Sequence, residues 1–114
     1  MKLKRKAIFI TGTDTNVGKT VATAVLGLLL QQKGYKVAVI KPVQCAGNDA
    51  AFLKEILGLQ DHLSTINPFF APEPLSPHLA FARQGKKILV DHIVRHCERL
   101  REECDVLLIE GAGG

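Results

Sequence analysis

The residues best suited to do chemistry are Gly12-Thr-Asp-Thr-Asn-Val-Gly18-Lys19-Thr20. Glycines let backbone N–H groups turn inward around phosphate oxygens, and a lysine beside them supplies a point charge for β- and γ-phosphates. The Thr20 hydroxyl is a hard oxygen ligand of the kind Mg²⁺ takes. The stretch follows a short apolar, β-rich run and opens a long apolar-rich segment, so a helix N-terminus would add partial positive charge. Lys19 reads as a charge on an exposed loop. The spacing is one residue longer than the common form of such loops, which wants glycine where Thr13 stands; Gly12 comes one place earlier. Asp14, inside the loop, would repel a nucleotide unless it faces outward or meets another cation.

Two further groups fall where ligands gather in open α/β sheets, at the carboxyl ends of strands. Lys41 directly follows the run Val37–Ile40, and Glu110 closes the run 105–110. A carboxylate ending an apolar strand suits a Mg²⁺-holding role in nucleotide hydrolysis. Asp49 can add another oxygen or cap a helix, so Thr20, Asp49 and Glu110 form a candidate hard-metal set. Lys41 has the plain alternative of a surface lysine at a strand end. Cys45 is read either as core or solvent-facing, or as a substrate contact. His92 and His96 stand at a zinc-like i, i+4 spacing beside Cys97, but no carboxylate pattern joins them, so solvated or packed histidines are the preferred reading.

These residues need elements to position them. Ala7–Thr11 reads as a buried strand, Lys19 to Lys33 as a helix stopped at Gly34, and Val37–Ile40 as a second strand, a βαβ unit with parallel strands. A helix capped by Asn48 or Asp49 runs to about Leu57 and stops at Gly58. From Gly58 to Pro77, four prolines and no clear period read as a long ordered connection. Ser76-Pro77 starts a helix ending at Gly85, Asp91 starts another to about Glu103, and 105–110 is a third strand before Gly111-Ala-Gly-Gly114. The fold class expected is α/β, a three-layer parallel sheet. It is one domain over residues 1–114 and an incomplete one, the N-terminal part of something larger, because a strand and Gly-rich loop at the end leave no following helix.

Composition narrows the classes. In 114 residues, 46% are hydrophobic and 23% charged, which supports a core and argues against global disorder. Val21 to Leu30, broken by Thr23, gives about ten apolar residues against the ~20 a bilayer span needs. The basic start lacks a cleavage signature and reads against a secretory leader. The net charge of +4 sits in Lys2, Lys4, Arg5 and Lys6; from Ala7 onward acids and bases balance. A solvated basic end is preferred to a phosphate-contacting arm, so neither nucleic acid nor membrane is an expected partner. Three cysteines without a CxxC point to a reducing, cytoplasmic setting.

Gly12–Thr20, Lys41-Pro-Val43, Asn67-Pro68, Glu73-Pro-Leu-Ser-Pro-His78 and Glu110-Gly-Ala-Gly-Gly114, in this order, resemble dethiobiotin synthetase over essentially the whole chain. The likeness corresponds to roughly the N-terminal half of a complete member, and the longer phosphate loop is that family's form. The resemblance implies a P-loop NTPase-like fold and an ATP-dependent ring closure in biotin biosynthesis. There, 7,8-diaminononanoate and CO₂ give an N-carbamate, ATP phosphorylates it, and the second amine closes the ureido ring with release of ADP and phosphate. It implies catalytic roles for Lys19 and Lys41 and Mg²⁺ held by Thr20, Asp49 and Glu110. ATP contacts would come from Asn16, Val17, Gly18, Lys19, Thr20, Val21, Asp49, Glu110, Gly111, Ala112 and Gly113. Thr15, Lys41 and Cys45 would lie near the diamine or carbamate. It also implies small-molecule partners only (ATP, diamine and CO₂) and a homodimer in the complete protein.

Two other classes stand beside this. A partitioning-type ATPase switch normally carries a second lysine five residues before the Gly-Lys-Thr lysine, and Asp14 holds that place. A non-catalytic nucleotide-binding fragment is the third, and only an assay separates it from the first.

Overall fold

A computed structural model describes residues 3–11, 18–45, 47–71 and 90–111, with backbone only at 44, 45, 70, 71 and 90. In chain order the elements are β1 (Lys6–Ile10), α1 (Gly18–Gln32), β2 (Val37–Ile40), β3 (Val43–Cys45), α2 (Asp49–Leu57), α3 (Leu63–Ile66), β4 (Phe69–Ala71), α4 (Val90–Glu102) and β5 (Val106–Glu110). The helix expected from Ser76 to Gly85 lies outside the described residues.

The main sheet has the order β1-β5-β2, all parallel. The sequence-adjacent strands β1 and β2 are therefore not partners. The last strand inserts between them, where its apolar run Val106–Ile109 gains a neighbour on each side. Ile10 faces Glu110 and Ile40 faces Ile109 in the register, so the carboxyl ends of all three strands lie on one edge.

Alternation along the strands sorts the core into two layers. Val37, Val39, Val106 and Leu108 pack with Ala24 and Leu30 of α1 and with Leu53 and Leu57 of α2. Ala38, Ile40 and Leu107 face the other way, onto Leu100 of α4 and Cys104. Helices on both faces make the three layers expected of this α/β class. Gly27 is the closest approach of α1 to α2: a Cβ there would meet the Leu57 methyls at 2.8 and 2.9 Å. Gly58 ends α2 at φ 62°, and the Leu59 N–H donates to the Lys54 carbonyl at 3.0 Å, the left-handed stop that glycine allows. Asn48 stands before α2 but its side chain makes no capping hydrogen bond.

The segment 59–71 is more structured than its sequence shows. It holds α3 and β4, and β4 pairs in parallel with β3 as a two-stranded sheet. Strands of three residues carry no readable period, and their pairing is fixed by long-range contacts. The Phe69 N–H donates to the Pro42 carbonyl at 3.1 Å, and the Asn67 amide donates to the carbonyls of Lys41 at 2.9 Å and Phe69 at 3.0 Å.

Candidate active site

Period-two alternation decides where Glu110 points. Val106 and Leu108 face α1, so Glu110, two residues on, faces the start of the same helix. It is fully buried, at 0% exposure. A buried carboxylate is costly unless each oxygen finds a donor. Here both oxygens do. Oε2 accepts from the Lys41 ammonium at 3.0 Å and from the Thr20 hydroxyl at 3.2 Å. Oε1 lies 3.2 Å from the Thr23 hydroxyl, which is also 2.8 Å from the Lys19 carbonyl and has one proton to share between them.

Lys41 is the partner that makes this burial tolerable. Its side chain sits between two carboxylates, 3.0 Å from Glu110 and 3.4 Å from Asp49 Oδ2. The residue is 5% exposed, so this is no surface lysine at a strand end. Its backbone is clamped as well. The Lys41 N–H donates to the Ile66 carbonyl at 2.7 Å, and Asn67 holds the Lys41 carbonyl. The short α3 and the turn after it thus fix the lysine at the carboxyl end of β2.

Thr20, Lys41, Asp49 and Glu110 come from α1, the end of β2, α2 and β5, and converge on one spot. The trio of Asp49, Lys41 and Glu110 carries one excess negative charge, a setting that favours a further cation. Its oxygens are carboxylate and hydroxyl, the hard donors that Mg²⁺ takes, and Mg²⁺ sites usually draw their remaining ligands from phosphates and water. Among the described residues no group of three His, Cys, Asp or Glu side chains is placed to hold a metal. A divalent ion at this spot would therefore rest on two carboxylates, one hydroxyl and its substrate.

Lys19 differs from its expected setting. It opens α1 only 8% exposed, not on an exposed loop, because α1 already begins at Gly18 and its first turn packs against the sheet. Val21 is 49% exposed on the outer side of α1. The Gly111 N–H donates to the Ile10 carbonyl at 3.0 Å and continues the β1–β5 pairing past Glu110. Thr15, Asn16, Val17, Ala112, Gly113 and Asp14 lie outside the described residues, as does the Cys45 side chain. Sequence reasoning missed Thr23 and the positioning part of Asn67. The signal for Thr23 was its place three residues after Thr20, on the same helix face.

His92 and His96 do share a face of α4, but the company they keep is cationic, with Arg95 and Arg99 lining the same cleft. Burial pushes the thiols of Cys97 and Cys104 up, the first with help from the neighbouring Glu98 charge. No helix among the described residues is long and apolar enough to cross a membrane.

Comparison with known proteins agrees with this architecture. Residues 6–114 match the family model described as "AAA domain". The ATP-dependent dethiobiotin synthetase BioD of Methanococcus vannielii is 42% identical over 108 residues, covering 94% of this chain and 51% of that protein. The one of Methanocaldococcus jannaschii is 41% identical over 112 residues, covering 94% and 52%. BioD 1 of Escherichia coli O157:H7 is 37% identical over 118 residues, covering 96% and 52%. The chain spans about half the length of the curated relatives it matches. With a parallel α/β sheet, a Gly-Lys-Thr helix start and this match over residues 6–114, the chain belongs to the AAA-domain family, and it is similar to the dethiobiotin synthetases over about half their length.

Proposed function

We propose that this chain is the nucleotide-handling part of an ATP-dependent dethiobiotin synthetase, a cytoplasmic ligase of biotin biosynthesis that acts as a homodimer when complete. The observation that carries the reading is the convergence of Thr20, Lys41, Asp49 and Glu110 at the carboxyl ends of β2 and β5. The substrates would be ATP, 7,8-diaminononanoate and CO₂.

The chemistry asks for cations at two places. A carbamate anion must approach a triphosphate, and the two repel. Lys19, at the start of α1, would hold the phosphates together with the helix N-terminus. Thr20, Asp49 and Glu110 would hold Mg²⁺, which when bound neutralises phosphate charge and orients the transferred group. Lys41 is now the counter-ion of Glu110 and Asp49. Held at the carboxyl end of β2 by the clamp of Ile66 and Asn67, its ammonium would supply the positive charge that the carbamate needs. Gly18, Val21, Gly111 and the residues Asn16, Val17, Ala112 and Gly113 would border ATP, with Thr15 and Cys45 toward the diamine.

Nucleotide binding tests the first half of the reading. Mg²⁺–ATP at about a hundred times its dissociation constant should stabilise the chain by about 2.7 kcal/mol, and Lys19→Ala should lose that gain, each protein being read against its own nucleotide-free midpoint. A variant still stabilised as the parent is would remove the phosphate role. Turnover tests the second half. In a protein of the relatives' full length, Lys41→Gln should lower ring closure by about 10²-fold or more with a smaller change in ATP binding. Unchanged turnover would take Lys41 out of the mechanism.

A further inference from the structure

On the face of the sheet opposite the candidate active site, α4 borders an open cleft of about 480 Å³ lined by Pro68, Phe69, His92, Arg95, His96 and Arg99. The four polar side chains recur at a helical i, i+3, i+4, i+7 spacing, so they stand in one stripe on α4. Among the described residues that line the cleft, none is a carboxylate. Among the described residues, none of the ion pairs involves Arg95 or Arg99; the pairs use Arg5 and Lys41 instead. Arg95 spends its Nε donor on the Asp91 carbonyl at 3.3 Å, which leaves its terminal nitrogens to other partners. The His96 ring is fixed by a 2.6 Å hydrogen bond from Nε2 to the Thr65 carbonyl.

Two ligand chemistries fit histidines at i, i+4, and the arginines choose between them. A transition metal would need neutral imidazoles, both with free nitrogens, and would be repelled by two guanidiniums. Here two fixed cations, Arg95 and Arg99, stand in the same cleft. An anion meets the opposite balance: guanidinium forks offer paired donors to oxyanions, and His92 can add an N–H. We propose that this cleft is a binding site for a phosphate group, either free phosphate or the phosphomonoester of a small molecule. It is distinct from the start of α1, a helix that packs on the other face of the sheet.

The cleft is not isolated from Lys41. His96 holds Thr65, the next residue Ile66 accepts the Lys41 N–H, and Asn67 holds the Lys41 carbonyl. Pro68 and Phe69 then form the cleft wall. An anion drawn against the stripe would bear on the same turn that clamps the catalytic candidate.

Titration of the 114-residue chain tests this, with the His92 and His96 ring resonances as probes and ionic strength held constant with chloride. Inorganic phosphate should move both rings in a saturable way with a dissociation constant of about 1 mM, and Lys19→Ala should leave that titration unchanged. The double variant Arg95→Gln/Arg99→Gln should weaken it about tenfold or more, and the single Arg99→Gln by less. Glycerol phosphate binding as tightly as phosphate assigns the site to esters; a weaker response assigns it to the free ion. Rings that stay put, or that move equally with chloride, overturn the proposal. So does loss of the response in Lys19→Ala, which would trace it to the phosphate loop. The proposed synthetase function survives any of these outcomes, because nucleotide stabilisation is read separately.

Discussion

The two faces of β5 are put to opposite uses. Toward α4, Leu107 and Ile109 meet Leu100, Cys97 and Cys104 in an apolar layer that ends in an open groove beside Phe9 and Val94. Toward α1, Val106 and Leu108 begin in the same way, but the third residue in that row is Glu110. One strand thus carries an ordinary core on one side and, on the other, a buried charge at its end. The layer that packs against α1 and α2 gives the stability that the charged end consumes. A buried ion pair seldom stabilises more than apolar residues of the same volume, so its presence points to what it does rather than to what it holds.

The sharpest way to break that contrast is to remove the carboxylate. Glu110→Ala leaves the Lys41 ammonium at 5% exposure with only Asp49, at 3.4 Å, and empties a packed site. Loss of one partner of a buried pair should cost about 3–5 kcal/mol, read as a lower urea midpoint at unchanged slope. The double variant Lys41→Met/Glu110→Leu replaces the pair with apolar groups. It should recover most of that loss and still gain nothing from Mg²⁺–ATP. A double variant as unstable as Glu110→Ala would show that the pair is needed for the fold.

A smaller effect tests the face that supplies stability. Gly27 lies where α1 meets α2, and a Cβ there would come within 2.8 Å of Leu57, which is itself buried. Overpacking costs about 1–3 kcal/mol, and alanine in a helix returns about 0.5–1 kcal/mol relative to glycine. Gly27→Ala should therefore destabilise by about 1 kcal/mol in a urea titration. Combined with Leu57→Ala, whose truncation opens the space, it should cost less than the two single effects added. Strict additivity would mean that the helices do not meet at this point.

Legibility in the sequence followed the same division. The apolar runs of β2 and β5, the glycine stop of α2 and the strand-end places of Lys41 and Glu110 could be read because each is a local pattern. The βαβ unit was legible as chain order, but the insertion of β5 between β1 and β2 was not, because partner choice is settled by burial across the whole sheet. β4 and α3 escaped notice since elements of three and four residues have no period. The burial of Lys19, and the contact of Thr23 with Glu110, follow from how α1 docks on β5. Asn67 was visible as part of a resemblance, yet its work of holding the Lys41 carbonyl is a tertiary contact between residues 26 apart in the chain.

The smallest expected effect lies on the α4 face, in its two thiols. Cys97 lines the apolar groove and Cys104 is buried in the adjoining core. Burial raises both above the ordinary thiol value, because the thiolate would lose water there. A raised folded value means that the neutral thiol favours the folded state. That contribution is fully present below the unfolded thiol value of about 8.5 and is lost as pH rises toward and through the folded value. In a Cys45→Ser background, unfolding midpoints measured at neutral pH and at mildly alkaline pH should therefore fall. Cys97→Ala with Cys104→Ala should fall less over the same interval. Alkylation of the native chain at neutral pH should be slower than that of a free cysteine, with Cys97 reacting before the more enclosed Cys104. Cys104 reacting first, or both reacting as fast as free cysteine, would show that the α4 layer opens readily and that the wholly apolar face of β5 is the weaker one.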